Sequence, residues 1–210
     1  MRVLIACEFS GIVREAFNSI AGVYAISCDL LAAEDGRVDV HYQGDVRDIL
    51  CDGWDMMIAF PDCTYLCGSG IHWNNRGRGW GKTEQSLQFV QLLMEAPIER
   101  IAIENPVGII STRIRRPDQY IQPYDFGHNA SKKTGLWLKS LPRLVATNHI
   151  PGRLVEWPVG SGKIVERWGN QTDSGQNKLA PSESRWKDRA RTYTGIAQAM
   201  ADQWGRNELR

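Results

Sequence analysis

Nowhere in its 210 residues does the chain hold the roughly 18 consecutive apolar residues of a bilayer-spanning helix, and Met1-Arg2-Val3-Leu4-Ile5-Ala6 is too short for a secretory leader core. A cytoplasmic protein with no membrane partner is the expectation. The chain also lacks an excess of either charge: 25 Lys and Arg against 24 Asp and Glu leave +1, which excludes the strongly basic make-up of a generic nucleic-acid coat. Cysteine is scarce and odd in number, at positions 7, 28, 51, 63 and 67, without the spacing of a disulfide framework. Free thiols in a reducing compartment are expected. There is no internal repeat and no low-complexity tract.

What is present suits one globular domain, with 42% hydrophobic and 23% charged positions. The charge is unevenly spread. Residues 1–62 carry four basic and eleven acidic side chains, and residues 63–210 carry twenty-one and thirteen, so the two parts are expected to face different ligands.

Apolar runs from Val3 to Cys7, Val23 to Cys28, Met56 to Phe60 and Arg100 to Ile103 have the length and composition of buried parallel strands, with a shorter one over Val38 to His41. Helical stretches are predicted over Ile12 to Ile20, Gln85 to Met94 and Thr194 to Trp204. Strands alternating with helices, with polar residues gathered just past the strands, predict an open, doubly wound, Rossmann-like α/β sheet with its ligand site along that edge. Residues 1–140 form the predicted catalytic and cofactor-binding core, 141–191 an irregular insert rich in Pro, Gly, Ser and Arg, and 192–210 a helix returning to the core. Gly68 to Lys82, with its glycines, Trp73, Trp80, Arg76 and Arg78, is expected to be a mobile basic loop able to close over a substrate.

Three strand ends carry candidate chemistry. Phe9-Ser10-Gly11 follows the first strand and Asp29 ends the second, the layout that holds an adenosine-containing cofactor through close backbone approach and ribose hydroxyls. Cys63 stands just beyond the strand Met56–Phe60, and Glu104-Asn105-Pro106 just beyond Arg100–Ile103. A thiolate that adds to C6 of a pyrimidine makes C5 enamine-like, and an acid on N3 promotes the addition. Cys63 and Glu104 have those two chemistries. Cys63 as a buried thiol, a zinc site from Cys63, Cys67 and His72, and a phosphate loop at Gly77–Thr83 are the competing interpretations.

On these residues the chain resembles a small phage- or prophage-type, S-adenosylmethionine-dependent DNA cytosine-C5 methyltransferase. Phe9-Ser10-Gly11 is similar to that family's Phe-x-Gly cofactor loop, Asp29 to its ribose-binding acid, and Gly44-Asp45-Val46 to the segment whose Asp holds the adenine. Cys63 follows Asp55 by eight residues, as the family's nucleophile follows its Asp, and Glu104-Asn105-Pro106-Val107-Gly108 is similar to the catalytic acid segment. Thr192 to Ala201 is similar to the final cofactor-binding helix. The resemblance implies Cys63, Glu104 and Asn105 as catalytic residues, and Phe9, Ser10, Gly11, Asp29, Asp45, Phe60 and Ile196 around S-adenosylmethionine. Arg76, Arg78, Arg113, Arg115, Arg116, Lys132 and Lys133 are the candidate substrate contacts, and no metal is expected. Asp62 stands where the family has Pro, and the Gln-x-Arg motif is missing, with Ser131 to Leu138 the nearest stand-in. About 60 residues separate that stand-in from the final helix, so a reduced or absent target-recognition region is expected. DNA with little sequence context is the first expected substrate and a free cytidine nucleotide the second. An inactive cofactor- or DNA-binding protein is the third possibility.

Overall fold

The computed structural model describes residues 1–180, Ser182 and residues 185–206. Strands β1 (Arg2–Ala6) and β4 (Met56–Ala59) lie at the centre, with Val3 to Ala6 and all four residues of β4 fully buried. A strand apolar on both sides is stable only where both faces of the sheet are covered. Around this pair, β2 (Tyr24–Asp29) and β3 (His41–Gln43) extend one side and β5 (Arg100–Pro106) the other, all parallel. Beyond β5, β7 (Thr134–Lys139) runs antiparallel, and β6 (Gln119–Ile121) pairs antiparallel with it at the edge. The order is β3-β2-β1-β4-β5-β7-β6, an open, doubly wound, Rossmann-like sheet.

Helix α1 (Ile12–Asn18) and the late helix α6 (Thr194–Met200) cover one face, packing Val13, Phe17, Ile196, Met200 and Trp204 on Val3, Ile5, Met56, Ile58 and Ala102. The opposite face is covered by α3 (Gly81–Met94), whose buried Thr83, Leu87, Val90 and Leu93 recur every three or four residues. They meet Leu4, Ala6, Met57, Ala59, Ile101 and Ile103. Each large aliphatic side chain so buried contributes about 1.5 to 3 kcal/mol of transfer free energy.

Several elements differ from expectation for local reasons. β1 stops at Ala6 because Cys7 turns to a φ of 59°. The stretch expected as a strand over Val38 to His41 is a 3-10 turn, Val38–Val40, followed by β3. The segment expected as a mobile loop folds into α2 (Gly68–Ile71) and a 3-10 turn, Asn74–Arg76. Buried Asn74 pins it, donating to Thr83 Oγ1 at 2.7 Å, and Thr83 Oγ1 in turn donates to the Tyr65 carbonyl at 3.1 Å. Residues 141–191 are not wholly irregular either. Strands β8 (Arg153–Glu156) and β9 (Ile164–Arg167) form a hairpin, and buried Trp168 stacks on Tyr124 at 3.9 Å between ring centroids. The helix after Thr194 continues past α6 as a π-helical turn, Ala201–Gly205. Residues 207–210 lie outside the described residues. Among the described residues no helix is long and apolar enough to cross a membrane.

Candidate active site

From β1 the chain builds β2 and β3 on one side, then crosses to β4 and β5 on the other, so the crevice between the ends of β1 and β4 is the topological switch point where such sheets hold ligands. Backbone bonds knit the loops along this edge. Phe60 N donates to Ala6 O at 2.9 Å, Glu8 N to Cys28 O at 3.1 Å, and Gly44 N to Asp29 O at 2.9 Å. Cys7 sits in the middle, its thiol raised by burial and by the carboxylates of Asp29, Asp45 and Asp62, three acids converging from three different strands. Burial raises Asp29 as well, against the Leu31 amide that donates to its Oδ1 at 2.9 Å. Asp45 caps the 3-10 turn Val46–Asp48 by accepting from Arg47 N.

Gly11 has a φ of 74°, which a side chain would strain, and opens α1 directly behind Phe9 and Ser10. The amides at this helix start are already taken. Glu8, a buried acid absent from the expected site, accepts from Val13 N at 2.7 Å and Arg14 N at 3.3 Å. Its signal in the sequence is one acidic residue between an apolar strand and a glycine turn. A fold that holds a pyrophosphate places it on these amides. Glu8 occupies that position and excludes it. Beside it the buried Arg14 guanidinium pairs with Asp35 and donates to Ser27 Oγ, which meets His41 Nδ1 at 2.8 Å, so the loop after β2 is held in place.

Burial pushes Glu8 up to about 7, against its amide donors and Arg14. The fold therefore favours the protonated acid. That stability is complete below about pH 4.5 and is lost as the pH rises to about 7. It amounts to about 3 kcal/mol at most. Glu8→Gln cannot ionise, so urea unfolding of this variant should lose the decline in stability that the native protein shows over that interval. A decline equal to the native one would refute the assignment.

Past β4, Asp62 Oδ1 accepts from Thr64 N at 2.9 Å and Thr64 Oγ1 at 2.7 Å, which starts a helical turn in which Leu66 N and Cys67 N both donate to Cys63 O. Asp62 thus shapes the turn besides raising the Cys63 thiol electrostatically. Two close approaches seat the turn: a Cβ at Gly70 would collide with Thr64 O, and one at Gly108 with Leu66 O. Asn105, at the end of β5, donates from Nδ2 to Pro61 O at 2.7 Å and so joins the Cys63 turn to the strand end that carries Glu104. Its buried Oδ1 finds no hydrogen-bond partner among the described residues. Glu104 is half-buried, and none of the described residues donates a hydrogen bond to its carboxylate.

Cys67, four residues beyond Cys63 on the same turn, is lowered, first by the neighbouring Cys63 thiol, then by Ser69 and Gly70 and by the Arg189 charge, against burial. Cys63 is raised, chiefly by the neighbouring Cys67 thiol and by burial, against Lys132.

The cations lie in several settings. Arg78 donates to Gly70 O and Asn74 Oδ1 and lies 4.7 Å over the Tyr65 ring, so it holds the turn after Cys67. Arg113 pairs with Glu84, Arg115 with Asp118, and Lys133 lies 4.3 Å over Tyr120. The heads of Arg76 and Arg116 are exposed. Lys132 donates to Arg189 O at 2.8 Å, at the end of α5 (Arg185–Ala190). That helix was not anticipated. It brings Trp186 within 6.0 Å of buried Phe9, and Arg191, just after it, pairs with Glu34. Phe60 is half-buried against the cluster that contains Ile196. Ser10 Oγ donates to Glu8 at 3.2 Å. Among the described residues no three His, Cys, Asp or Glu side chains gather as a set that could hold a metal ion.

A scan against models of protein families finds no match, and no curated protein matches the chain. Solved structures similar to it include a protein described as a DNA modification methyltransferase encoded within a prophage of E. coli. The two are 16% identical over 66% of this chain and 46% of that one, with a TM-score of 0.47. Entamoeba histolytica methyltransferase EhMeth is 14% identical over 72% of this chain and 58% of that one, with a TM-score of 0.49. The chain thus spans about half the length of these two structures. Its fold assignment rests on the strand order itself.

Proposed function

We propose that the protein transfers a methyl group from S-adenosylmethionine to C5 of cytosine in DNA, through a covalent bond between Cys63 and C6. The observation that carries this reading is the Asn105–Pro61 hydrogen bond, which ties a thiol-bearing turn to a strand end bearing a half-buried carboxylate. Cys63 would attack C6, Glu104 would hydrogen-bond N3 so that the ring accepts electron density, and Asn105 would keep the two in register. The C5 proton would then leave to solvent as the bond to Cys63 breaks.

The loops suit this cofactor on a physical ground. With Glu8 on the α1 amides and Asp29, Asp45 and Asp62 around Cys7, a phosphate is disfavoured, whereas a ligand with sulfonium and ammonium charges and no phosphate is favoured. When bound, S-adenosylmethionine supplies the electrophilic methyl group. Asp29 would take its ribose hydroxyls and Asp45 its adenine, with Phe9, Ser10, Gly11, Phe60 and Ile196 completing the enclosure. Asp29→Ala should weaken S-adenosylhomocysteine binding by about 5- to 150-fold in calorimetry, the cost of about 1 to 3 kcal/mol for leaving polar groups unpaired. Unchanged affinity would remove Asp29 from the site.

DNA is favoured by the basic balance of residues 63–210 and by the exposed Arg76 and Arg116. A free cytidine nucleotide is the second reading, supported by the internal pairing of Arg78, Arg113 and Arg115. Residues 141–191 are read as a reduced recognition region, so the context around a modified cytosine should extend over at most one or two neighbours. The test is labelled S-adenosylmethionine with duplex DNA, single-stranded DNA or cytidine triphosphate, followed by nucleoside mass spectrometry. The expected product is 5-methylcytosine in DNA. Methylation of the exocyclic amine would overturn the reading, label in the nucleotide alone would favour the second, and cofactor binding without product would leave a binding protein.

A further inference from the structure

Helix α5 has no part in the reaction just proposed, yet it touches both sides of the crevice. On the β1–β3 side Trp186 lies 6.0 Å from Phe9, and Arg191 donates to both carboxylate oxygens of Glu34, from Nε at 3.1 Å and from Nη2 at 2.6 Å. These two contacts are one wall, because Glu34 N donates to Phe9 O at 2.8 Å. On the β5–β7 side Lys132 Nζ donates to the Arg189 carbonyl at 2.8 Å. The register of β7 on β5 sets Thr134 against Pro106 and Gly135 against Asn105, so Lys132 comes just ahead of β7 at the strand end that carries Glu104 and Asn105. Resting on the proposed reaction, we propose that Lys132 and Arg189 form a phosphate-binding pair at the mouth of the crevice, which takes a phosphate group of the cytosine-bearing substrate.

Most of the other arginines near this edge already have partners. Arg113 pairs with Glu84, Arg115 with Asp118 and Arg191 with Glu34, while Arg78 donates to Gly70 O and Asn74 Oδ1. Lys132 and Arg189 differ, for among the described residues neither forms an ion pair. An ammonium has three N–H donors, and with one on the Arg189 carbonyl Lys132 keeps two. The exposed Arg189 guanidinium offers five more, in a fork that matches two oxygens of one phosphate. Two cations brought to one helix end without a counterion repel each other, and an anion between them reverses the sign. The opposite side of the crevice disfavours the same group, since Glu8, Asp29 and Asp45 stand there. A phosphate is thereby steered to the β5–β7 side, where Cys63 and Glu104 await the base. The contacts of Trp186, Arg191 and the Arg189 carbonyl fix the backbone of α5 beforehand, so less ordering is left to pay when substrate arrives. A DNA strand and a free nucleotide present the same phosphate oxygens, and the experiment separates them.

The test is equilibrium binding to the full chain, with a short cytosine-containing duplex followed by fluorescence anisotropy between about 50 and 200 mM salt, and with CTP and cytidine followed by calorimetry. The native protein is compared with Lys132→Gln, Arg189→Gln and Arg189→Lys. Arg189 is exposed and its side chain makes no hydrogen bond among the described residues, so Arg189→Gln leaves α5 its other contacts. Each Gln variant should lower the slope of log K against log salt by about 0.9, the loss of one phosphate contact on duplex DNA, and Arg189→Lys, which keeps the charge, should retain the native slope. An unchanged DNA slope with CTP affinity down about tenfold or more, and cytidine affinity unaltered, would support the pair and assign its phosphate to a free nucleotide. A native slope together with native CTP affinity in Arg189→Gln would overturn the proposal, as would a native protein that binds neither DNA nor CTP. Slope loss without any methyl transfer would support the phosphate pair and overturn the proposed reaction instead.

Discussion

Cys63→Ala should abolish methyl transfer to DNA, a loss of at least about 10^4-fold, while leaving S-adenosylhomocysteine binding within about twofold of native. The size of the loss follows from the chemistry. Without a sulfur on C6 the ring has no enamine-like C5. Cys67 lies one helical turn further on and follows Asp55 by twelve residues rather than eight. Cofactor binding should survive because Cys63 belongs to the β4 side of the crevice, whereas Asp29, Asp45 and the Glu8–Gly11 loop belong to the β1–β3 side. Loss of cofactor binding in Cys63→Ala would mean that the turn after β4 shapes both halves of the crevice and that Cys63 is not confined to the β4 side.

Glu104→Gln should lower kcat by about 10^2- to 10^4-fold, the range typical of a positioned general acid. Glu104 lies on the face of β5 that carries Ala102, opposite in side-chain direction to its neighbour Asn105, and pairs with Leu136 of β7. The amide keeps the shape and a donor but cannot share a proton with N3. Because Asn105 holds Pro61 independently, the turn bearing Cys63 should stay in place, and Cys63 should alkylate as in the native protein. An activity loss below about threefold would take Glu104 out of the mechanism.

Much of this was legible in the residues. The central strands announce themselves as unbroken apolar runs, Val3 to Ala6 and Met56 to Ala59, because a doubly covered sheet asks for nothing polar on either face. The polar residues at their ends mark the candidate site for the same reason: Asp29, Cys63 and Glu104 are half-buried where the apolar runs stop. Other parts were hidden because their determinants are single hydrogen bonds. The turn Asn74–Arg76 depends on Asn74, Thr83 and Arg78, and glycine-rich composition alone suggests a loop there. The β8–β9 hairpin escapes notice because its strands are half-exposed or exposed throughout, and β6 is three residues long. The role of Glu8 depends on which amides it meets across a turn, which spacing does not reveal.

The most direct test of a covalent Cys63 route is a trap with DNA carrying 5-fluorocytosine. Fluorine at C5 cannot leave as a proton does, so a reaction that passes through the adduct must stop there with the methyl group already transferred. Native protein, S-adenosylmethionine and this DNA should give a denaturation-stable complex whose digest places the nucleotide on Cys63, and Cys63→Ala should give none. Methylation of ordinary cytosine DNA with no trapped complex, or a complex mapped to Cys67, would contradict the account.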